Sequence, residues 1–176
     1  MRNAAALAIL TAVTYLGCSS SAERPSQPPR PETELMTDLG ELHPSAKVVK
    51  ANEDVLIAEK DGLQSRREGT FAHVVQGKHG DKATKYLWTI DDRGINCALE
   101  RTPWDTARGH ITHTNISLLA RFAGEAWFTG AGRVTINGHS GRFADRASAT
   151  ASQYEAATEM WERLGYKVTA IPLGQR

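Results

Sequence analysis

The 176 residues carry a formal net charge of +1, with 21 basic against 20 acidic side chains. That balance excludes a chain whose whole surface is a basic field for nucleic acid or anionic membrane. The length leaves room for one domain with appended segments, and two cysteines, Cys18 and Cys97, exclude a disulfide-dense scaffold.

The first segment reads as an export signal. Arg2 supplies a short positive start, and residues 4–16 form an uncharged apolar run, shorter than the ~20 residues that span a bilayer as a helix. The run closes on Tyr15-Leu16-Gly17-Cys18, which resembles a bacterial lipobox with Tyr15 where leucine is usual. The resemblance implies a signal peptide over 1–18 and lipidation of Cys18. The mature chain would then be exported and anchored to the outer membrane or cell surface, at about 0.8 kcal/mol per buried methylene. Residues 19–44 follow as a disordered tether, rich in Ser and Pro up to Thr33 and unable to bury a core. A short helix is predicted near 34–42, stopped before Pro44. Over 45–82 the pattern is poorly defined. The β-branched Val48, Val49, Val55 and Ile57 favour a strand pair, 47–50 and 55–59, with a broken helix as the alternative. Gly77 to Asp81 reads as a flexible polar loop, and its Lys78 and His79 receive no role.

From Tyr86 the pattern sharpens into a scaffold. Tyr86, Trp88 and Ile90 alternate with Leu87 and Thr89. Asp91-Asp92-Arg93-Gly94 turns the chain, and Ile95, Cys97 and Leu99 alternate again, which predicts a β-hairpin. Cys97 reads as a buried strand residue. A second hairpin is predicted at 125–129 and 133–137 around Gly130-Ala131-Gly132. Trp127 and Thr129 fall on one face, and Ala126 and Phe128 on the other. Over 151–164 the spacing of Tyr154, Ala157, Trp161 and Leu164 predicts a helix with one apolar stripe. Its start is marked by a capping box, Thr150 with Gln153 or Ser152 with Glu155, and its end by Gly165. A last strand follows over 166–171. The class is α+β: a small antiparallel sheet of four to five strands with a C-terminal helix packed on one face, over residues 83–176, a length that supports a modest core.

Two polar clusters flank the second hairpin. The first holds Arg108, His110, His113, Thr114 and Asn115. Read as a strand, it puts His110 and His113 on opposite faces. The two therefore do not form a metal pair, and no tetrahedral ligand set assembles. The second holds Asn137, His139, Ser140 and Arg142 in a turn bracketed by Gly138 and Gly141. Such a turn exposes backbone N–H groups beside a hydroxyl and a guanidinium, which suits an oxyanion. The bland alternative is a polar turn in which Ser140 caps its own backbone. Together the clusters supply a histidine of near-neutral pKa, a hydroxyl and an arginine, the parts of metal-independent phosphodiester cleavage. His113 would be the general base or acid, and Arg142 would stabilise the charge developing on phosphorus. Glu125 would orient the histidine or serve as the second acid/base, or else is a plain strand residue. Thr114, Asn115, Arg101 and His110 are the candidates for substrate contact.

His113-Thr114-Asn115, AGEAWF at 123–128 and VTINGHSGRF at 134–143 resemble the C-terminal toxin modules of bacterial polymorphic toxins. In those modules a His-Thr-Asn segment precedes an AGGE-type strand, a SGRY or SGHY turn, a helix and a last strand. YLWTIDDRGIN from Tyr86 and the terminal GYKVTAIPL are also similar to that family, so the resemblance spans 86–176. It implies an RNase toxin of the barnase/colicin/endoribonuclease-U-like group, with His113, Ser140 and Arg142 at the site. Phe143 stands where the modules commonly have Tyr, and Ala126 where Leu is more usual. The lipoprotein-type start is similar to that of myxobacterial kin-discrimination toxins, lipoproteins with a variable toxic C-terminus.

The expectation is therefore an exported, lipid-anchored antibacterial toxin with a metal-independent RNase domain, needing no cofactor. It would act as a monomer on RNA in the cytoplasm of a recipient cell. Its partners would be the membrane, through Cys18, and an acidic immunity protein. That protein would cover Arg101, Arg108, Arg121, Arg133, Arg142 and Arg146. The alternatives are a non-catalytic envelope lipoprotein that binds a partner or an anionic ligand, and a toxin of other chemistry such as ADP-ribosyl transfer.

Overall fold

A computed structural model describes residues 28–45, 62–100, 111–143 and 149–175. The export segment with Cys18, the strand pair expected at 47–50 and 55–59, and the candidate residues Arg101, Arg108, His110 and Arg146 lie outside the described residues. In chain order the elements are helix α1 (Glu32–Leu39), strands β1 (His43–Pro44) and β2 (Gln64–Arg66), a 3-10 turn (Lys82–Thr84), and strands β3 (Tyr86–Asp91) and β4 (Gly94–Leu99). The one-turn helix α2 (His113–Ile116), strands β5 (Leu119–Ala120), β6 (Phe122–Gly130) and β7 (Arg133–Asn137), helix α3 (Ala151–Arg163) and strand β8 (Lys167–Ala170) complete it.

Six strands form one sheet in the order β2-β4-β3-β6-β7-β8, and β1 pairs with β5 apart from it. The fold is α+β, with the C-terminal helix on one face. The sheet is one strand larger than the pattern predicts, because β2 is built from Gln64, Ser65 and Arg66, which show no apolar alternation. All pairs in the sheet are antiparallel except β7–β8, which is parallel. The chain returns from β7 to β8 through α3, the crossover that parallel neighbours require.

Alternation assigns the two faces. Tyr86, Trp88, Ile90, Ile95, Cys97, Phe122, Ala126, Phe128, Val134 and Ile136 form the main core with Tyr154, Ala157, Trp161 and Leu164 of the α3 segment. Trp88 and Trp161 are both fully buried and meet edge to face, with ring centroids 5.9 Å apart, an arrangement worth about 0.5–1.5 kcal/mol beyond its area. Cys97 is a free thiol in this core, and burial pushes it well above its ordinary pKa. The Thr150 capping box forms as read: Gln153 N–H donates to Thr150 Oγ1 at 3.2 Å, and Thr150 N–H donates to Gln153 Oε1 at 2.9 Å.

The helix predicted near 34–42 lies at Glu32–Leu39 and ends at Gly40, whose φ of 81° is the left-handed conformation that favours glycine. Leu35 and Leu39, one turn apart, are fully buried in the main core. The carboxylate of Glu159 on α3 and that of Asp38 both accept from the Arg30 guanidinium, at 2.9 Å and 2.5 Å. Gln153 Nε2 donates to the Leu39 carbonyl at 3.2 Å. Residues 30–39 are thus part of the packed body, clasped to the outer side of α3.

Candidate active site

The sheet face away from α3 carries Leu87, Thr89, Asp91, Asn96, Ala98, Glu125, Trp127 and Asn137. Part of it is covered by a small cluster in which Leu87 and Ala98 meet Ile111 and Ile116. The segment 111–117 is where His113 lies, and it is not the strand that the alternation suggested. Thr112 stops the extended backbone and His113 opens α2. The Asn115 side chain makes the turn close: its Oδ1 accepts from Thr112 N–H at 2.6 Å and from Thr112 Oγ1 at 2.8 Å. The Thr114 hydroxyl lies 2.7 Å from that of Thr112. The polar ends of Thr114 and Asn115 are therefore engaged within the turn, and both side chains are buried.

A polar network fixes this turn on the β3–β4 hairpin. Ser117 Oγ donates to Asp91 Oδ2 at 2.8 Å, and Arg93 Nη2 donates to the same oxygen at 2.8 Å and to the Ile116 carbonyl at 3.2 Å. Asn96 Nδ2 donates to Ser117 Oγ at 3.4 Å, and Asn96 Oδ1 accepts from Ser65 Oγ at 2.5 Å. Burial would raise the Asp91 carboxyl, but the donors from Arg93, Asn96 and Ser117 outweigh it and hold it below its usual value.

His113 is 6 % exposed, and its Nε2 lies 2.8 Å from the Gly124 carbonyl oxygen. A carbonyl only accepts, so Nε2 carries the proton and, in the neutral ring, Nδ1 holds the lone pair. The near-neutral pKa expected of this histidine is corrected by its surroundings. Burial above all, with the charges of Lys85 and Arg142, lowers it to about 4, although the Gly124 hydrogen bond and the Glu125 charge act the other way. Gly124 is required here by close approach, because a Cβ would fall 1.9 Å from the Asn137 carbonyl oxygen and 2.7 Å from the Trp88 ring.

Glu125 projects onto the same face from the middle of β6. Its Oε2 accepts from Asn137 Nδ2 at 2.9 Å and its Oε1 from Lys85 Nζ at 2.8 Å. Lys85 also bridges to Glu100 at 2.7 Å. Burial would raise the Glu125 carboxyl, but the bonds from Asn137 and Lys85 outweigh it and leave it lowered. Burial would lower the Lys85 ammonium, yet the two glutamates leave it raised. Both stay charged at neutral pH. The β7 end is tied in through Asn137 Oδ1, which accepts from Glu125 N–H at 3.0 Å and His139 N–H at 3.1 Å.

The Ser140-Gly141-Arg142 turn differs from the oxyanion cradle that its sequence suggests. Ser140 Oγ accepts from the backbone N–H groups of Arg142 and Phe143, at 3.3 and 3.2 Å, so these donors face the protein's own hydroxyl. Ser140 is buried and shapes the turn. Arg142 is half-buried, makes no ion pair among the described residues, and its charge acts on the His113 ring. Arg121, by contrast, is engaged by the Gly40 carbonyl and by Asp92 Oδ1 at 2.8 Å.

Direct bonds thus bring together Glu125, Lys85, Glu100 and Asn137, the Gly124 carbonyl anchors His113 next to Glu125 in the chain, and Arg142 bears on the group through its charge on the His113 ring. Neither Lys85 nor Glu100 stands out by residue type. The signal for them is the hairpin register: Tyr86 pairs with Leu99, which makes Lys85 and Glu100 the next cross-strand neighbours. Among the described residues no group of three His, Cys, Asp or Glu is placed to hold a metal ion, and no helix is long and apolar enough to cross a membrane. No protein family, curated protein or solved structure matches this chain.

Proposed function

We propose that the chain is an exported, lipid-anchored antibacterial toxin whose C-terminal domain cleaves RNA without a metal. The observation that carries this reading is the grouping on the sheet face away from α3: an ionised Glu125 held by Lys85 and Asn137 lies beside the strand residue that anchors the His113 ring, and that ring feels the charge of Arg142, which has no ion pair among the described residues. In this reading Glu125 takes the proton of the ribose 2′-hydroxyl as its oxygen attacks the adjacent phosphorus. Arg142 stabilises the added negative charge on the phosphorane. The 5′ oxygen departs with a proton, which in this reading His113 supplies. A phosphate set beside the ring raises its affinity for a proton, against the lowering by Arg142 and Lys85. The histidine then becomes a competent acid only in the substrate complex.

The toxin reading is tested by producing the chain without residues 1–18 in a bacterial cytoplasm. Growth arrest is expected, relieved by Glu125→Gln and by His113→Ala at equal protein level. A wild-type chain that accumulates without harm sinks it. The burial of His113 and the use of the Ser140 hydroxyl within its own turn favour a second reading, a non-catalytic domain that binds an anionic ligand through Arg142. That reading predicts a harmless chain that binds but does not cut.

A further inference from the structure

Residues 77–85, a polar loop by sequence, are fastened to the sheet face away from α3, beside Glu125. Past the Tyr86–Ala126 pair β3 gives out, and Gln76 bridges to Phe128 in its place. Gly77 N–H donates to the Phe128 carbonyl at 3.0 Å. The Trp127 indole N–H donates to the Asp81 carbonyl at 2.9 Å, and the Asp81 carboxylate accepts from Ala83 N–H at 2.9 Å. Gly77 leaves no room for a side chain, since a Cβ would lie 1.9 Å from Thr84 Oγ1. At the far end Lys85 grips Glu125. The loop is therefore held at both ends and in its middle.

Trp127 lies two residues from Glu125 on the same face of β6, about 7 Å along the strand. The His79 ring stands edge-on to it with centroids 4.6 Å apart, and His79 is exposed to solvent. Lys78 and Lys82 are also exposed, and neither has an ion pair among the described residues. The only acidic group in the loop, Asp81, accepts from Ala83 N–H as the cap, and against its charge Lys78 and Lys82 leave residues 77–84 with one positive charge in excess. Two exposed lysines without an ion pair among the described residues, and a backed aromatic ring, thus adjoin a site whose own charges, Lys85 and Arg142 against Glu100 and Glu125, cancel. A site of zero net charge gains little attraction for a polyanion from its own residues, and phosphate contacts supply most of that affinity.

We propose that residues 77–85 form a binding track for single-stranded RNA, with Lys78 and Lys82 on backbone phosphates next to the scissile one and His79, backed by Trp127, against a neighbouring base. The choice of RNA rests on the RNase reading above; the track itself rests on the loop. Stacking on an aromatic ring and a cationic groove are the two devices by which single strands are gripped without reading their sequence.

The probe is a fluorescent 2′-O-methyl oligoribonucleotide of about a dozen nucleotides, within the range of single-strand sites, which cannot be cut through its 2′ oxygen. Its anisotropy is followed with the full chain over a salt series, and the unmodified oligomer is assayed for cleavage in parallel. The double variant Lys78→Ala, Lys82→Ala is expected to bind more weakly, with a slope of log affinity against log salt shallower by about 1.4, two phosphate contacts at ~0.7 each. His79→Ala is expected to weaken binding about 5-fold or more with the slope kept. A double variant with wild-type slope and affinity overturns the track, whether or not RNA is cut. Lysine-dependent binding without cleavage supports the track and sinks the enzyme reading alone. A chain that neither binds the probe nor cuts the unmodified RNA overturns both.

Discussion

The His113 imidazole donates from Nε2 to the main-chain oxygen of Gly124 at 2.8 Å. This bond joins α2 to the strand that bears Glu125, and it fixes both the tautomer and the position of the ring. It also holds the histidine where its charged form is disfavoured, with a pKa near 4.

The first prediction concerns acid. A free histidine titrates near 6.5, so between about pH 6.5 and 4 the unfolded chain binds a proton at His113 that the folded chain does not. Stability from this group is complete above pH 6.5 and is lost as pH falls towards 4. The loss amounts to about 3 kcal/mol at most. Urea unfolding at pH 7.5 and pH 4.5 should show it in the wild type and show a smaller drop in His113→Gln. Equal drops in the two proteins would contradict the burial argument.

Gly124 and Gly141 make a matched pair of tests. A methyl at Gly124 meets the Asn137 carbonyl and the Trp88 ring, while one at Gly141 meets nothing within 4 Å. Gly124→Ala should cost about 2–3 kcal/mol or more, as overpacking of a tight site does. Gly141→Ala should stay within about 0.5 kcal/mol, as surface changes do. Thermal melts decide it, and the reverse order would place the close approach elsewhere.

Lys85 separates two carboxylates. Its side chain and those of Glu100 and Glu125 are about one-fifth exposed, at 17 %, 19 % and 23 %. Lys85→Met leaves the acids facing each other without a cation. A cost of about 1–3 kcal/mol is expected, below that of a fully buried pair because solvent screens it. The Glu125 carboxyl should rise as well, which NMR titration of that side chain would read. Lys85→Arg should restore much of the stability. A Met variant as stable as the wild type would show the bridge to be idle.

The α1 clasp is tested by Leu35→Ala. Leu35 is fully buried between α1 and the core, so about 2–5 kcal/mol should be lost. A change below about 1 kcal/mol would mean that α1 packs loosely on α3.

Strong periodicity made the centre of this fold legible. Tyr86-Trp88-Ile90 and Ile95-Cys97-Leu99 define a hairpin, and the α3 stripe and its Thr150 cap stand out in the same way. The parts that did not read clearly lack that signal. Gln64-Ser65-Arg66 becomes a strand because the exposed edge of β4 offers it hydrogen bonds, not because its side chains alternate. His113 sits in a region where Ile111, His113 and Asn115 alternate as a strand would, yet the Asn115 side chain caps Thr112 and turns the chain into α2. At the site, residue type pointed to His113, Glu125 and Arg142. Lys85 and Glu100 become visible only once the hairpin register is followed one pair further. Ser140 shows the limit of motif reading: the same hydroxyl that could serve a ligand serves its own turn.

The most direct measurement is cleavage of a single-stranded RNA by the purified chain in the presence of excess chelator. The expected result is cleavage that chelator does not suppress, leaves a 2′,3′-cyclic phosphate, and falls by about 100-fold or more in Glu125→Gln, the usual scale for losing an acid/base group. RNA left intact by a folded wild-type chain, or cleavage abolished by chelator and indifferent to Glu125, would contradict it.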